Sequence, residues 1–279
     1  MYRILYLFWF SLSVNIVVAQ NNINLDSLKG IWENPALPSE DRLDAVMYSV
    51  IYLWDTGRYK EGWELAYKLN EIEGGKSSKK HQSFFHLSTG IELRNNDLAK
   101  SELTLQKGIA LGKEANFKFG IVNGHVSLGI TYMQGRQLDK ALASFNEALK
   151  LSEESDNYYM KTNTAWAYLK IGEISERKGN RKRYKEYLNK ALNIFTEVEH
   201  KLGIVRCYSD ISEYYTFNND YLSALDCLKK VEQVSLEIGA VNDTILFVRV
   251  YNQFAHIYHF QENYQEALDY YFKILRLAV

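Results

Sequence analysis

The sequence predicts an all-α solenoid of about six stacked helix hairpins, and three observations carry that expectation. A two-helix pattern returns at intervals of about 40 residues between Gly57 and Val279. Within each copy, a small residue is followed by apolar ones at helical spacing. Short polar turns separate the helices. A helix pair of this length cannot bury its apolar face alone, so copies must stack on their neighbours.

The second helix of each copy shows the pattern best. It reads Ala141, Phe145, Ala148 in the third copy and Ala224, Leu228, Val231 in the fifth. The sixth has Ala267, Tyr271, Ile274, and the fourth has Tyr184, Leu188, Ala191, beginning with a ring. The first two copies diverge, with Gly62, Ala66, Leu69 and Ser101, Leu105, Gly108. These positions share one stripe of a helix, and small side chains there let two helices approach closely.

The first helices agree. A ring precedes a small residue by one turn at Tyr168/Gly172, Tyr208/Ser212 and Tyr251/Ala255, with His125/Gly129 in the third copy. A tyrosine follows at Tyr132, Tyr215 and Tyr258, with Ser175 the exception. The turns inside the hairpins are Gly57-Arg58, Asn95-Asn96-Asp97, Gly135-Arg136, Gly179-Asn180, Asn218-Asn219-Asp220 and Glu262-Asn263. Gly, Asn and Asp tolerate the left-handed backbone that helix exits require.

The third copy, His125-x-x-Leu128-Gly129-x-x-Tyr132 with Ala141-x-x-x-Phe145-x-x-Ala148, resembles the tetratricopeptide-repeat signature. The resemblance covers about residues 41–279. Two departures matter: the repeat is longer than usual, and the terminating proline is missing, since the only prolines are Pro35 and Pro38. That pattern is similar to kinesin-light-chain-like repeats and to bacterial signalling sensors. The resemblance implies a right-handed superhelix whose first helices line a groove for a protein or peptide partner. Carried over residue by residue, the groove positions are Asn123, Ile130 and Met133, then Trp166 and Lys170, then Arg206, and finally Arg249, Asn252, His256 and His259. Lys170, Arg206, Arg249 and Asn252 would hold a carboxylate or a polar backbone. Trp166, Ile130 and Met133 would supply an apolar anchor. No Lys/Asn set recurs in adjacent copies, so a strict carboxylate clamp is not supported.

The segments outside the array carry their own expectations. Residues 1–19 read as a secretory signal: Arg3 precedes an uncharged run from Ile4 to Val18, too short for a membrane span, and cleavage would follow Ala19. The chain is then expected to be exported, periplasmic or secreted, with no membrane span after signal removal. Residues 20–40 form a polar lead-in with a short helix over Leu25–Trp32, ended by Pro35 and Pro38.

Composition excludes several classes. At 47 % hydrophobic and 14 % aromatic residues, the chain is globular rather than disordered. Its net charge of −1 argues against nucleic acid as a direct partner, which calls for a basic excess. No cofactor fingerprint is present, because G-x-S-x-G, the phosphate loop and the dinucleotide glycine pattern are all lacking. Gly74-Gly75-Lys76-Ser77 reads instead as a flexible loop between copies. His256 and His259 could present two rings to one metal, but no carboxylate motif accompanies them, so no metal site is assigned. Glu173/Glu176 and Glu153-Glu154 read as solvated charge. Cys207 and Cys227 fall on opposite helices of one hairpin, displaced by about a turn; two buried thiols are expected, although export would permit a disulfide.

A non-enzymatic, exported scaffold for a protein or peptide is the reading these features favour. The alternative is the sensor portion of a bacterial membrane kinase or helix-turn-helix regulator whose output domain is missing from this chain. Leu275, Leu277 and Val279 extend an apolar stripe at the end of the last helix, where a second copy could pair.

Overall fold

The computed structural model describes residues 25–237 and 244–277, so the expected signal over 1–19 and the side chains of Leu277 and Val279 lie outside the described residues. All the described secondary structure is helical, thirteen α-helices and one 3-10 turn. The chain divides into two compact units between Leu151 and Ser152. Within the described residues, no helix is long and apolar enough to cross a membrane.

The first unit begins with α1 (Leu25–Trp32), which packs on α2 (Ser39–Asp55). Pro38 occupies the N-cap of α2, so it starts that helix as well as closing the lead-in. Three hairpins follow. The first pairs α2 with the short α3 (Tyr59–Ala66), which tightens into a 3-10 turn over Tyr67–Asn70. The second pairs α4 (Lys79–Leu93) with α5 (Leu98–Glu114), and the third pairs α6 (Lys118–Gln134) with α7 (Leu138–Ser152).

The anchors read from the sequence form the interior of this unit. Ala66, Leu69, Leu105, Ala141, Phe145 and Ala148 are all buried. A β-carbon on Gly129 would stand 2.6 Å from the ring of Phe145, so the bare glycine is what lets α6 and α7 meet. Burying such apolar side chains stabilises by roughly 1.5–3 kcal/mol each. Serines make the second hairpin's close approach tolerable for the backbone. Ser83 Oγ donates to the Gly108 carbonyl and Ser101 Oγ to the Gly90 carbonyl, both at 2.7 Å. The Gly74–Ser77 loop is closed on itself rather than loose. Gly75 and Ser77 donate to the carbonyls of Ile72 and Gly74, and the Gln82 side chain donates to Asn70 and to the Gly75 carbonyl.

The second unit repeats the plan with α8 (Tyr158–Arg177) and α9 (Arg181–Glu197), α10 (Lys201–Phe217) and α11 (Tyr221–Glu237), and α12 (Thr244–Phe260) and α13 (Tyr264–Leu277). Tyr184, Leu188 and Ala191, and Ala224, Leu228 and Val231, are buried as their stripes require. The sixth copy departs from its expected register. Ala267 is buried, but Tyr271 is 36 % exposed. Tyr270 takes the interior place, stacked on Phe254 at 4.5 Å and 8°. The reason is local: three tyrosines, Tyr251, Tyr258 and Tyr270, cluster on the α12–α13 seam, and a ring one position earlier satisfies them better.

One device ends most of the helices. Arg58, Gln137, Asn180, Asp220 and Asn263 each donate a backbone N–H to the carbonyl five residues back, as do Phe117 and His200 between hairpins. This closure needs a left-handed residue just before it. Gly57, Gly179 and Asn219 supply it as expected, with φ of 79°, 80° and 59°. In the third hairpin the left-handed residue is Arg136, at φ 58°, and Gly135 stays at −76°. Glu262, Asn116 and Glu199 take the same conformation. The hydrogen-bond pattern therefore dominates, and residue preference follows it where it can.

Candidate functional site

The groove residues expected from the sequence separate between the two units. Asn123, Ile130 and Met133 lie on α6 in the first. Trp166 and Lys170 on α8, Arg206 on α10, and Arg249, Asn252, His256 and His259 on α12 lie in the second.

Two of the intended anchors face inward. Met133 is only 5 % exposed and belongs to the core. Trp166 is half-buried, edge-on to Phe195 at 5.0 Å and to His200 at 6.0 Å, so it packs the seam between consecutive hairpins. Ile130 and Asn123 are half-buried.

In the second unit the first helices α8, α10 and α12 lie side by side. Polar side chains bridge them. Arg206 on α10 donates to Glu173 Oε1 on α8 at 3.2 Å and to its own-helix neighbour Asp210 at 3.0 Å. Lys170 donates to the same Glu173 oxygen at 2.6 Å. Gln253 on α12 donates to Glu213 on α10 at 2.7 Å. Glu173 is thus a partly buried junction and not the solvated charge its sequence context suggests. The two cations expected to receive a ligand carboxylate already hold Glu173 and Asp210.

Four carboxylates, Glu173, Glu176, Asp210 and Glu213, share this face. Burial raises the pKa of Asp210 to about 6; Arg206 opposes that rise, while Glu173 and Glu213 add repulsion. Glu176 is raised by burial and by Glu213. For Arg206, burial works against the charge, but Asp210 and Glu173 outweigh it and hold the pKa above its ordinary value. Tyr184 beneath the cluster is raised by burial and by the same carboxylates. Around Asp210 the carboxylates thus outnumber Lys170 and Arg206, while Arg181 and Arg177 offset Glu176 at the edge of the face.

Over α12 the character changes. Arg249, Asn252, His256 and His259 fall on one stripe, with Arg249, His256 and His259 exposed. His259 meets Tyr264 edge-on at 5.6 Å. Among the described residues, Arg249 has no carboxylate partner and no cluster of metal-ligating side chains includes the two histidines.

The cysteines of the unit, Cys207 and Cys227, are free and buried. Burial pushes the Cys227 thiol up to about 11 and raises that of Cys207 as well, with Asp210 adding to the latter. Both are protonated fillers with weak nucleophilic character.

A cluster in the first unit was not anticipated. His81 is fully buried, with Ser78 Oγ 2.7 Å from Nδ1 and Asp44 Oδ1 2.8 Å from Nε2. Burial would raise the pKa of Asp44, but the hydrogen bond from His81 and the charge of Lys80 outweigh it and hold the carboxyl below its usual range. Glu40, Asp44 and His81 offer atoms within 4.8 Å of one another. Lys80 Nζ already sits 2.6 Å from the Asp44 oxygen, in the place a cation would take. The cluster braces α4 against α2. Its members are about 37 residues apart in sequence, and a lone His gives no sign of such a partner.

Comparisons with known proteins agree with this architecture. A family described as tetratricopeptide repeat matches residues 122–161, 167–196 and 248–278. The chain carries tetratricopeptide repeats, and its fold is the corresponding helical solenoid. No curated protein sequence matches the chain. Among solved structures, the chain is similar to BtubC (BKLC) from P. vanneervenii, at 15 % identity and TM-score 0.60, covering 80 % of this chain and 89 % of that one. It is similar to a Rap protein complexed with competence and sporulation factor, at 14 % identity and TM-score 0.61, covering 91 % and 79 %. It is also similar to the quorum sensor NprR from B. thuringiensis in its apo form, at 14 % identity and TM-score 0.57, covering 100 % and 87 %. At such identities the likeness is one of fold.

The buried carboxyl at the centre of the face makes stability depend on pH. Because the folded pKa of Asp210, about 6, lies above its ordinary 3.8, the folded state holds the proton more tightly. Its contribution is therefore full below the lower value and is lost as pH rises through the higher one. Denaturant titrations at pH 4 and pH 7 should show Asp210→Asn escaping a loss on the order of 3 kcal/mol that the parent chain suffers. Identical pH slopes for the two proteins would remove Asp210 from this role.

Proposed function

We propose that the chain is an exported, non-enzymatic scaffold that binds an extended peptide, or a segment of a partner protein, along the first helices of its second unit. The observation that carries this reading is the two-part charge of that face. Carboxylates crowd around Asp210 on α8 and α10, whereas Arg249, with no carboxylate partner among the described residues, stands with Asn252 and the two histidines on α12. A peptide with a basic segment followed by an acidic or amide-rich one would complement both parts, and neither part holds a matched acid and base in a closed pocket. The Rap protein, similar in fold, was solved in complex with competence and sporulation factor, which supports a ligand-binding use of such an array. Export rests on the signal-like residues 1–19 and predicts a mature chain beginning at Gln20.

Charge reversal tests the face. In a binding screen of extended peptides against the mature chain, basic–acidic sequences should be retained, with affinity falling as salt rises. Glu213→Lys and Arg249→Glu should each weaken the selected peptide about tenfold or more, roughly 1.4 kcal/mol. Unchanged affinity in both variants would place the contact elsewhere.

A second surface concerns a second copy of this chain. Leu268, Phe272 and Leu275 on α13 are 49 %, 53 % and 60 % exposed and fall on one stripe. At the position of Phe272, the third, fourth and fifth copies carry Asn146, Asn189 and Lys229, all exposed. The sixth copy is therefore apolar where its siblings are polar. Asp269 and Arg276 flank the stripe on one side, so two α13 helices paired antiparallel about a two-fold axis would set each Asp269 across from the other copy's Arg276. Sedimentation at tens of micromolar should show a dimer that Asp269→Arg or Arg276→Asp weakens and the two together restore. A monomer, or a dimer indifferent to Leu275→Glu, would exclude this pairing.

A further inference from the structure

The first unit holds a cation of a different kind. Arg94 closes α4 and reaches across to α6, where Nε donates to Thr131 Oγ1 and Nη2 to the Ser127 carbonyl, both at 3.2 Å. Several other half-buried cations are answered by carboxylates: Lys80 by Asp44, Lys170 by Glu173, and Arg206 by Glu173 and Asp210. Arg94 has no carboxylate in salt-bridge range among the described residues. Burial alone lowers its pKa to about 10, so it remains charged at neutral pH without a counter-charge.

A guanidinium offers five N–H donors in a fixed fork. The two hydrogen bonds to α6 take the Nε side. The opposite end, both protons of Nη1 and the second of Nη2, has no hydrogen-bond partner among the described residues. Arg94 also lines an open cavity of about 580 Å³ with Asn95, Asn96, Asp97, Leu98 and Gln134. Three of the residues lining the cavity with Arg94 thus carry side-chain amides. Asp97 is the one carboxylate on the rim, and it is engaged in capping α5 through the Lys100 N–H at 2.9 Å.

We propose that this cavity is a binding site for a carboxylate, held in a two-point contact on the free end of the Arg94 guanidinium with Asn95, Asn96 and Gln134 around it. A planar carboxylate matches the spacing of that edge. The carboxylate can come from a small free acid or from the acidic end of a peptide. The site lies wholly in the first unit, so it stands or falls apart from the peptide face on the second.

Calorimetric titration of the full chain at constant ionic strength tests it, with sodium acetate, inorganic phosphate, and Gly-Gly-Glu with a free or an amidated C-terminus as probes. Saturable binding of acetate and both peptides points to a small-acid site, and binding of the peptides alone points to a peptide end; either supports the proposal. Asn96→Asp, which adds a negative charge without touching the contacts of Arg94, should weaken binding about tenfold or more. Asp97→Asn keeps the helix cap and removes the rim charge, so it should tighten binding several-fold. Arg94→Gln should abolish it, with circular dichroism confirming the fold. Absence of saturable carboxylate binding, binding indifferent to Asn96→Asp, or phosphate bound more tightly than every carboxylate would overturn the assignment.

Discussion

The stacking depends on large side chains being received by small ones across neighbouring helices, within hairpins and between them. Phe145 rests where Gly129 has no β-carbon, and Gly203 meets the ring of Phe195 in the same way, with a β-carbon there only 2.4 Å away. These contacts set how near consecutive helices come, and that spacing lets the backbone-capping serines Ser83 and Ser101 reach across. Because each helix pair is thin, the apolar stripe it buries is shared with the next pair. Within each unit the first helices are thereby held in a layer of their own, and their outward residues are released from packing duty.

That layer is where the two units differ chemically. In the second, Arg206 and Lys170 are neutralised by Glu173 and Asp210, and the remaining carboxylates crowd a partly dry surface. Stability there is traded against charge, which is why Asp210 holds its proton to a higher pH than a solvated aspartate. In the first unit, Arg94 is taken partly out of water with only neutral acceptors. A charge of this kind is costly to hold unless something else supplies its partner.

The stacking was legible because it is a pattern of size. Ala141, Phe145, Ala148, Ala224 and Leu228 are all buried as their spacing indicates. Where the sequence misleads, the reason is a competing contact. Tyr270 and not Tyr271 turns inward because Phe254 offers it a flat stack at 4.5 Å. Arg136 and not Gly135 takes the left-handed turn because the N–H of Gln137 must reach the Tyr132 carbonyl. Polar partnerships were the least visible part. Glu173 and Arg206 are 33 positions apart, and Arg94 lies 37 from Thr131. Helical period alone identifies which side chains share a face, but not which neighbour on the next helix will claim a charge. The residues named for the groove do fall on first helices, while their pairing and the isolation of Arg94 needed three dimensions.

The small-against-large contact can be measured at one pair, Gly129 and Phe145, by a double-mutant cycle with Phe145→Leu. In a helix interior, glycine to alanine should stabilise by up to about 1 kcal/mol on propensity alone. Here Gly129→Ala places a β-carbon 2.6 Å from the ring, so the account predicts destabilisation in the parent chain. That penalty should shrink or change sign once Phe145 is leucine, with a coupling of about 1 kcal/mol or more between the two sites. A stabilising Gly129→Ala in the parent, or effects that simply add, would contradict the account.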